Sequence, residues 1–383
     1  SLDNVRMSGN MAIGAITAGG AIANEFGGTL TVTRSHFSEN ASQGFLTGVG
    51  GAITSDLGPT FDPETGEAGT TGQPVVQINR SSFVGNTAQA ASGYVDDPMF
   101  AFSGVAGGGA VLNVTGQMTI SQSHFEDNSV IGGAAVKDSD TIPDSTTGGG
   151  GIGGAVLSGD LSPFGLAESS LRVSRSTFKN NSATGGSGAT AGVAGGFASG
   201  GAIAVGNGSD ARLERNGFYE NSVSGGAGGG GAEGGIGTGG AVSAADAATL
   251  RLQRNRFVKN EAEGGDGSGI NNGGTGRGGA LGLDTIQQFG FGNPAVAILI
   301  VAIQGDLKGL HLDATGGVAA RGPRSQKNCA IGNYGRAIEN PRQSIDPPLL
   351  FASFDIIRRQ LQGPRHDDLP PSVDLDCDRR RIA

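Results

Sequence analysis

Aliphatic residues recur at alternate positions ahead of a Phe in six segments of the chain. The residues five positions before the Phe are Val32, Ile78, Ile120, Val173, Leu213 and Leu252. Polar residues such as Arg172, Arg212 and Arg251 fill the positions between aliphatic residues. A period of two places the aliphatic side chains on one face of a β-strand and the polar ones on the other. A small polar residue two positions before each Phe breaks the alternation and predicts a bend between two short strands.

Two short motifs alternate along residues 1–283. The first is a Phe followed three residues later by an Asn, with copies at Phe37/Asn40, Phe83/Asn86, Phe125/Asn128, Phe178/Asn181, Phe218/Asn221 and Phe257/Asn260, and a degenerate copy at Met7/Asn10. The second is Gly-Gly-Ala followed by an aliphatic residue, with copies beginning at Gly19, Gly50, Gly108, Gly153, Gly200, Gly239 and Gly278. Successive Phe residues are 39 to 53 residues apart, and the insertions fall in Gly-rich stretches. The pattern predicts a repeat with a fixed core and variable loops.

We predict an all-β fold for residues 1–283, a right-handed parallel β-helix. The Phe would point inward and the Gly pair would form a tight corner. The Asn would tolerate left-handed backbone while its amide bonds to the neighbouring coil. Because a repeat of about 40 residues exceeds the usual length of one coil, we expect two coils per repeat, one on each motif. About fourteen coils at ~4.8 Å each would form a stack about 65 Å long, with Phe coils alternating with Ala coils.

The alternation of Gly-Gly-Ala-Ile with Phe-x-x-Asn resembles the repeats of chlamydial-type polymorphic outer membrane proteins, which are autotransported surface adhesins. The resemblance covers about residues 1–283. It implies a β-helical passenger of the pectin-lyase-like fold, exposed at a surface and active in adhesion. Nothing after residue 283 resembles the C-terminal translocating barrel of that family, which leaves the export route open.

The last hundred residues differ in composition from the repeats. The apolar run from Ala295 to Ile303 predicts a buried strand, so we assign residues 284–310 to a last rung or cap. Residues 311–383 form an irregular tail with several Pro, in which residues 349–361 show the spacing of one short helix. Cys329 and Cys377 lie in this tail, and either form one disulfide or are two unrelated thiols.

Composition and charge narrow the class of protein. Gly supplies 73 of 383 residues and Trp is absent; without a three-residue Gly period, collagen is excluded. The net charge of −9 disfavours nucleic-acid binding, because a phosphate backbone requires a clustered cationic surface. The run Ala295 to Ile303 has nine residues, far fewer than the roughly 20 that cross a bilayer. We therefore expect no transmembrane segment and no nucleic-acid partner.

Candidate catalytic groups are sparse. The acidic clusters of the repeat region are Asp96, Asp97, Asp138, Asp140 and Asp144. They fall in loops without the neighbouring His and Lys or Arg that a lyase or hydrolase on this fold would need. His36 and His124 occupy the same repeat position and should point outward as ordinary surface residues. We expect no catalytic residue, no metal site and no cofactor.

These patterns favour a non-enzymatic secreted or cell-surface rod, associated with the outer membrane, that acts in adhesion or as a structural element of an extracellular assembly. Its partner would be a protein or glycan at a cell surface, or copies of itself or other subunits. Three long Gly-rich loops, residues 183–199, 222–238 and 261–277, would project from one side for adhesion. The alternative is a carbohydrate-active β-helix enzyme, which the lack of Trp for stacking on sugars disfavours.

Overall fold

The computed structural model describes residues 1–25, 27–56, 73–95, 104–137, 144–159, 169–189, 191–206, 208–245, 248–269 and 273–283. Outside these ranges it gives the backbone of five short strands, Thr60–Phe61, Ala68–Gly69, Leu299–Ala302, Leu310–Leu312 and Val318–Ala320. The chain divides into two compact units, one of Ser1–Gly58 and Thr71–Pro341 and one of Pro59–Thr70 and Arg342–Ala383. In the second unit, Thr60–Phe61 pairs antiparallel with Ala68–Gly69. The described residues contain strands and no helix.

Four parallel sheets, here named A to D, run through the first unit. Sheet A contains Leu2–Asp3, Thr29–Thr33, Val75–Asn79, Gly116–Ser121, Ser169–Ser174, Asp210–Glu214, Thr249–Gln253 and Leu299–Ala302. Sheet B contains Arg6–Ser8, His36–Ser38, Ser82–Val84, His124–Glu126, Thr177–Lys179, Gly217–Tyr219 and Arg256–Val258. Sheet D contains Ile22–Asn24, Ile53–Ser55, Val111–Asn113, Val156–Ser158, Ile203–Val205, Val242–Ala244 and Leu281–Leu283.

Sheet C differs because the chain leaves it and returns to it within one coil. The first two coils cross it with the continuous strands Met11–Ala18 and Ala41–Val49. In later coils the outgoing strands are Thr87–Ala90, Ser129–Ile131, Ser182–Thr184, Ser222–Ser224 and Glu261–Glu263. The returning strands are Ala106–Gly107, Gly151–Ile152, Ala198–Ser199, Gly237–Thr238 and Gly276–Arg277. The Gly-rich insertions of the sequence lie between these outgoing and returning strands.

One repeat forms one coil, so the expectation of two coils per repeat is wrong. Phe37 pairs with Phe83 and Phe83 with Phe125, and the pairing continues in register to Phe257. Within each coil the chain passes through sheets A, B and C and then through Gly-Gly-Ala into the sheet D strand. The Gly-Gly-Ala motif therefore belongs to the same coil as the preceding Phe motif and does not begin a second one. Within residues 1–283, the seven coils give six steps, or about 29 Å at ~4.8 Å per step, in place of the expected 65 Å. The described residues of the first unit up to residue 283 form an all-β parallel solenoid.

A stack of Phe rings forms the centre of the core. Five Phe side chains are fully buried, at Phe37, Phe83, Phe125, Phe178 and Phe218. Neighbouring rings along the stack are parallel, with centroids 4.8–5.1 Å apart. The Ala of the first six Gly-Gly-Ala motifs and the inward aliphatic residues of sheet A belong to the same apolar cluster or pack against it. Burial of each ring contributes roughly 1.5–3 kcal/mol of transfer free energy. The repeated Phe therefore stabilises the packing of each coil on its neighbours.

The Asn residues of the Phe motif form a hydrogen-bonded ladder along the stack. Nδ2 of Asn86 donates to Oδ1 of Asn128 at 2.9 Å and to the carbonyl of Phe37 at 3.1 Å. The same pair of bonds recurs from Asn40 to Asn221. The amides therefore bond to neighbouring coils, as expected. The left-handed backbone lies one residue earlier than expected, at Glu39, Gly85, Asp127, Asn180, Glu220 and Lys259.

The last copy of the Phe motif differs from the five interior copies, although the sequence pattern predicts the same inward position for all of them. Phe257 and Asn260 are only half-buried, because Arg256–Val258 is the terminal strand of sheet B and covers the stack from one side. Asn260 still accepts a hydrogen bond from Nδ2 of Asn221 at 2.9 Å and donates to the carbonyl of Phe218 at 3.1 Å. The ladder of the described residues therefore ends at Asn260, which lacks the full burial of its counterparts.

The two glycines of each Gly-Gly-Ala motif have different tasks. Gly108 adopts φ +62°, a left-handed conformation that L side chains rarely adopt. Its neighbour Gly109 has no room for a side chain, because a Cβ there would lie 2.0 Å from the carbonyl oxygen of Gly154 in the next coil. The other interior copies repeat this division. The Gly pair is therefore fixed by backbone conformation at the first position and by backbone packing at the second.

The Gly-rich insertions form an ordered double layer, which we name the glycine array (residues 132–136, 148–150, 185–188, 192–197, 225–236, 264–267 and 273–275). One chain of backbone hydrogen bonds runs through it, with donors in the order Gly274, Gly265, Gly235, Gly226, Gly196, Gly186, Gly149 and Gly133, ending on the carbonyl of Gly104. The bonds link outgoing and returning arms. A Cβ at Gly186 or Gly235 would lie 1.8 Å from a backbone oxygen. The stretches predicted as projecting adhesive loops are thus packed backbone to backbone.

The segment predicted as a last rung contains a strand of sheet A. Leu299–Ala302 pairs in parallel with Thr249–Gln253. Farther on, Leu310–Leu312 pairs antiparallel with Val318–Ala320. The predicted helix at residues 349–361 and both cysteines, Cys329 and Cys377, lie outside the described residues.

Candidate binding surface

Three arginines stand directly opposite one another on the outer face of sheet A. Arg172 pairs in register with Arg212, and Arg212 with Arg251. All three are exposed, because the strand alternation points their neighbours inward and these residues outward. Earlier coils carry Thr31, Gln77 and Thr119 at this register position. The column therefore becomes cationic in the last three described coils.

A second arginine column follows the corner between sheets A and B. The residue immediately after each sheet A strand is Arg34, Arg80, Gln122, Arg175, Arg215 or Arg254 in coils two to seven. All six are exposed, with φ between +48° and +57°. The two columns run side by side over coils five to seven. We name their six shared-coil members the arginine face: Arg172, Arg175, Arg212, Arg215, Arg251 and Arg254.

The arginine face costs folding free energy on two counts. Like charges directly opposite on neighbouring strands are destabilising, and unit charges at the coil spacing repel by about 1 kcal/mol in water before screening. The corner arginines also hold left-handed backbone, which costs an L residue other than Gly roughly 1–2 kcal/mol. Gln77 and Gln122 show that the same register positions fold without a charge. The fold thus accepts arginine at these positions and does not require it.

Acidic side chains neutralise the arginine face only in part. Glu214 lies between the columns and contacts Arg212 and Arg215, each at 3.5 Å. Arg172, Arg175 and Arg251 make no side-chain hydrogen bond or ion pair with any residue of the described ranges. Because Ser174, Glu214 and Gln253 separate the two columns, hydrogen-bonding groups lie between the charges. The surface can therefore bind anionic groups and hydroxyl groups together.

The two predicted surface histidines lie at equivalent positions of sheet B, half-buried on its outer side, with Ser82 in register between them. His36 Nδ1 hydrogen-bonds the hydroxyl of Ser82. His124 contacts the carboxylate of Glu126 at 3.0 Å, and Lys179 from the next coil contacts it at 2.7 Å. The hydrogen bond from Lys179, followed by that from His124, holds the pKa of Glu126 below its usual value. The same pairing raises the pKa of Lys179.

The acidic clusters do not assemble into a site within the described ranges. Asp144 is exposed, whereas Asp96, Asp97, Asp138 and Asp140 lie outside the described residues. Among the residues that the structure describes, no group of three or more His, Cys, Asp or Glu side chains is placed to hold a metal ion. The same residues include no helix long and apolar enough to cross a membrane.

The net charge of the chain does not reveal the arginine face, because a total charge says nothing of how charges are distributed over the surface. The chain is acidic overall, yet six of its 26 Lys and Arg residues lie on one side of three coils. The signal was an Arg-x-x-Arg pattern that recurs in three successive repeats, at residues 172–175, 212–215 and 251–254. Because each repeat forms one coil, the three copies of this pattern lie side by side on one surface.

No family model, curated protein or solved structure matches the chain. The resemblance of its repeats to polymorphic outer membrane proteins therefore stays a prediction. What the chain does is best inferred from the arginine face and from the coils that display it.

Proposed function

We propose that the chain is a non-enzymatic, secreted or cell-surface β-helical protein that acts in adhesion, with the arginine face as its binding surface. The in-register pairing of Arg172, Arg212 and Arg251 carries the proposal. Stacked like charges lower folding stability, and their retention in three consecutive coils is explained by a partner that supplies the opposite charge. Association with the outer membrane and the resemblance to surface adhesins belong to the same proposal.

The interior of the solenoid supports such a role by holding the surface rigid. The Phe stack and the Asn ladder fix the spacing of successive coils at 4.8–5.1 Å. A surface whose charges are already in position loses less conformational entropy on binding. We also propose a right-handed coil, because connections between parallel strands of one sheet are right-handed in about 98% of cases.

Adhesion is tested with the whole purified chain on arrays of neutral glycans, acidic glycans and surface proteins, with light scattering to determine its mass in solution. We expect a monomer that binds at least one class of immobilised partner. A chain that binds none of them and assembles into filaments would instead be a structural element of an extracellular assembly.

A further inference from the structure

We infer that the arginine face binds a linear acidic polysaccharide, one that carries carboxylate or sulfate groups, with its chain running along the stack of coils. The inference rests on the proposed function and specifies its partner. The direction follows from the two parallel columns, which place cations at every step of coils five to seven. A polymer laid across the coils would meet two columns only, whereas one laid along them meets a cation at each step.

The length of the corner column favours an extended polymer over a small anion. Five of its six positions from coil two to coil seven are arginine, with Gln122 the exception. The column therefore spans about 24 Å at ~4.8 Å per step. Arginine also suits this class of ligand, because its planar guanidinium forms paired hydrogen bonds with carboxylate and other oxyanions. An extended pyranose chain advances by a similar distance per sugar, so its charged groups can meet successive coils.

The groups between the two arginine columns favour a sugar. Ser174, Glu214 and Gln253 point outward there. Ser174 and Gln253 can donate hydrogen bonds to sugar hydroxyls or accept them, and the Glu214 carboxylate can accept them. Single-stranded nucleic acid is usually held by aromatic platforms. On the outer faces of sheets A and B, Tyr219 supplies the one Phe, Tyr or Trp ring among the described residues, and it lies 5.9 Å from the guanidinium of Arg256.

Glu214 allows a test in which the affinity for acidic polysaccharide is expected to rise instead of fall. Its carboxylate lies 3.5 Å from Arg212 and from Arg215 and so competes with any anionic ligand. Glu214→Gln keeps the shape of the side chain and removes this competitor. We expect acidic polysaccharide to bind this variant about two- to tenfold more tightly. A role of the face in folding alone predicts no such gain.

The decisive variant is the triple change Arg172→Gln, Arg212→Gln and Arg251→Gln, which copies the Gln of coil three and should fold. A matched control, Lys137→Gln, Lys259→Gln and Arg277→Gln, removes the same charge from other surfaces. Affinity is measured by calorimetry at two ionic strengths for heparin oligosaccharides of increasing length, polygalacturonate, neutral dextran and oligo(dT). Circular dichroism verifies that each variant is folded.

We expect the triple variant to bind heparin fragments and polygalacturonate at least about tenfold more weakly, with a flatter salt dependence. The control should stay within about twofold, dextran should not bind, and affinity should rise with oligosaccharide length. Equal affinity of wild type and triple variant, tighter binding of oligo(dT), or no gain in Glu214→Gln would each overturn the inference. Adhesion unchanged in the triple variant would leave adhesion as the function but would assign it to another surface, whereas a wild type that binds nothing would end both proposals.

Discussion

Asn181 provides the sharpest test of how the coils are held together. Its side chain is fully buried. Oδ1 accepts hydrogen bonds from the backbone amide and side chain of Asn128 at 3.1 and 2.9 Å. Nδ2 donates to the carbonyl of Phe125 at 3.1 Å and to Oδ1 of Asn221 at 2.9 Å. Asn181→Asp changes the shape very little and removes both donors.

The cost of Asn181→Asp can be calculated from those bonds. A neutral Asp can replace one of the two donated hydrogen bonds and leaves one buried acceptor with one hydrogen bond fewer, which costs about 1–3 kcal/mol. An ionised Asp leaves both acceptors facing a buried negative charge. Burial without a cation raises the pKa of such a carboxyl far above its ordinary value. Every tenfold increase in proton affinity costs a further ~1.4 kcal/mol at neutral pH, so the total approaches the roughly 5–15 kcal/mol stability of a typical domain.

The pH dependence of this variant has a definite sign. The folded state binds the proton more tightly than the unfolded chain, whose Asp has a pKa near ~3.9. The variant is therefore most stable below that value, and it loses stability as pH rises toward the raised pKa. Asn180→Asp is the matched control, since Asn180 is exposed and Asp127 already occupies the equivalent left-handed position one coil earlier.

Urea unfolding followed by circular dichroism across a pH series measures both variants. Asn180→Asp should stay within about 0.5 kcal/mol of wild type. Asn181→Asp should be weaker by about 1–3 kcal/mol in acid and largely unfolded at neutral pH. Equal behaviour of the two variants, or an Asn181→Asp protein that gains stability with rising pH relative to wild type, would refute the hydrogen-bond ladder as described.

Three further predictions concern the interior, the glycine array and the surface. Phe178→Ala should lower unfolding free energy by about 3–5 kcal/mol in urea titrations, because its ring stacks between two others, whereas Phe178→Leu should lose much less. Gly235→Ala should markedly lower the melting temperature and speed amide exchange across the array, since its Cβ would lie 1.8 Å from a backbone oxygen; Gly230→Ala, with its nearest neighbour at 3.5 Å, should not. The ion pairs of Glu126 should stabilise the fold above its ordinary pKa of 4.5 and lose that effect as pH falls through its lowered pKa. Glu126→Gln should therefore flatten the acid limb of the pH–stability curve, and an unchanged limb would contradict the pairing with Lys179.

The interior positions of the solenoid could be predicted from the sequence because each has one physical requirement. A Phe that recurs with an aliphatic residue five positions earlier has no comparable explanation on a surface, and Phe83 and Ile78 are indeed buried. Gly-Gly at a corner was equally informative, since Gly108 needs a left-handed φ and Gly109 needs the absence of a Cβ. These requirements are local, so they can be seen in a single repeat. How deeply a copy is buried is not local, and Asn260 is half-buried because of its place in the stack.

The number of coils could not be predicted in the same way. A period near 40 residues fits one long coil or two short ones, and the difference is whether Phe83 pairs with Phe37 or with an Ala of the other motif. That choice depends on the path of the chain between the outgoing and returning strands of sheet C. Poly-Gly stretches carry no side-chain pattern, so nothing local showed that their backbones would bond to each other in layers.

The residues at outward positions of the solenoid are not constrained by packing as the inward ones are, so they can carry information about function. Inward residues of sheet A stay apolar from coil to coil, and the Phe and Asn of the repeated motif are the same in coils two to seven, because a change in Phe178 or Asn181 would disturb both neighbours. Outward residues face solvent and vary freely, as the column Thr31, Gln77, Thr119 and Arg172 shows. Both arginine columns hold arginine in three successive coils although these positions can vary. Charge repulsion disfavours this in both columns, and the left-handed backbone disfavours it at the corner, so folding does not explain these residues. The arginine face is therefore the part of this solenoid whose residues are best explained by what binds to it.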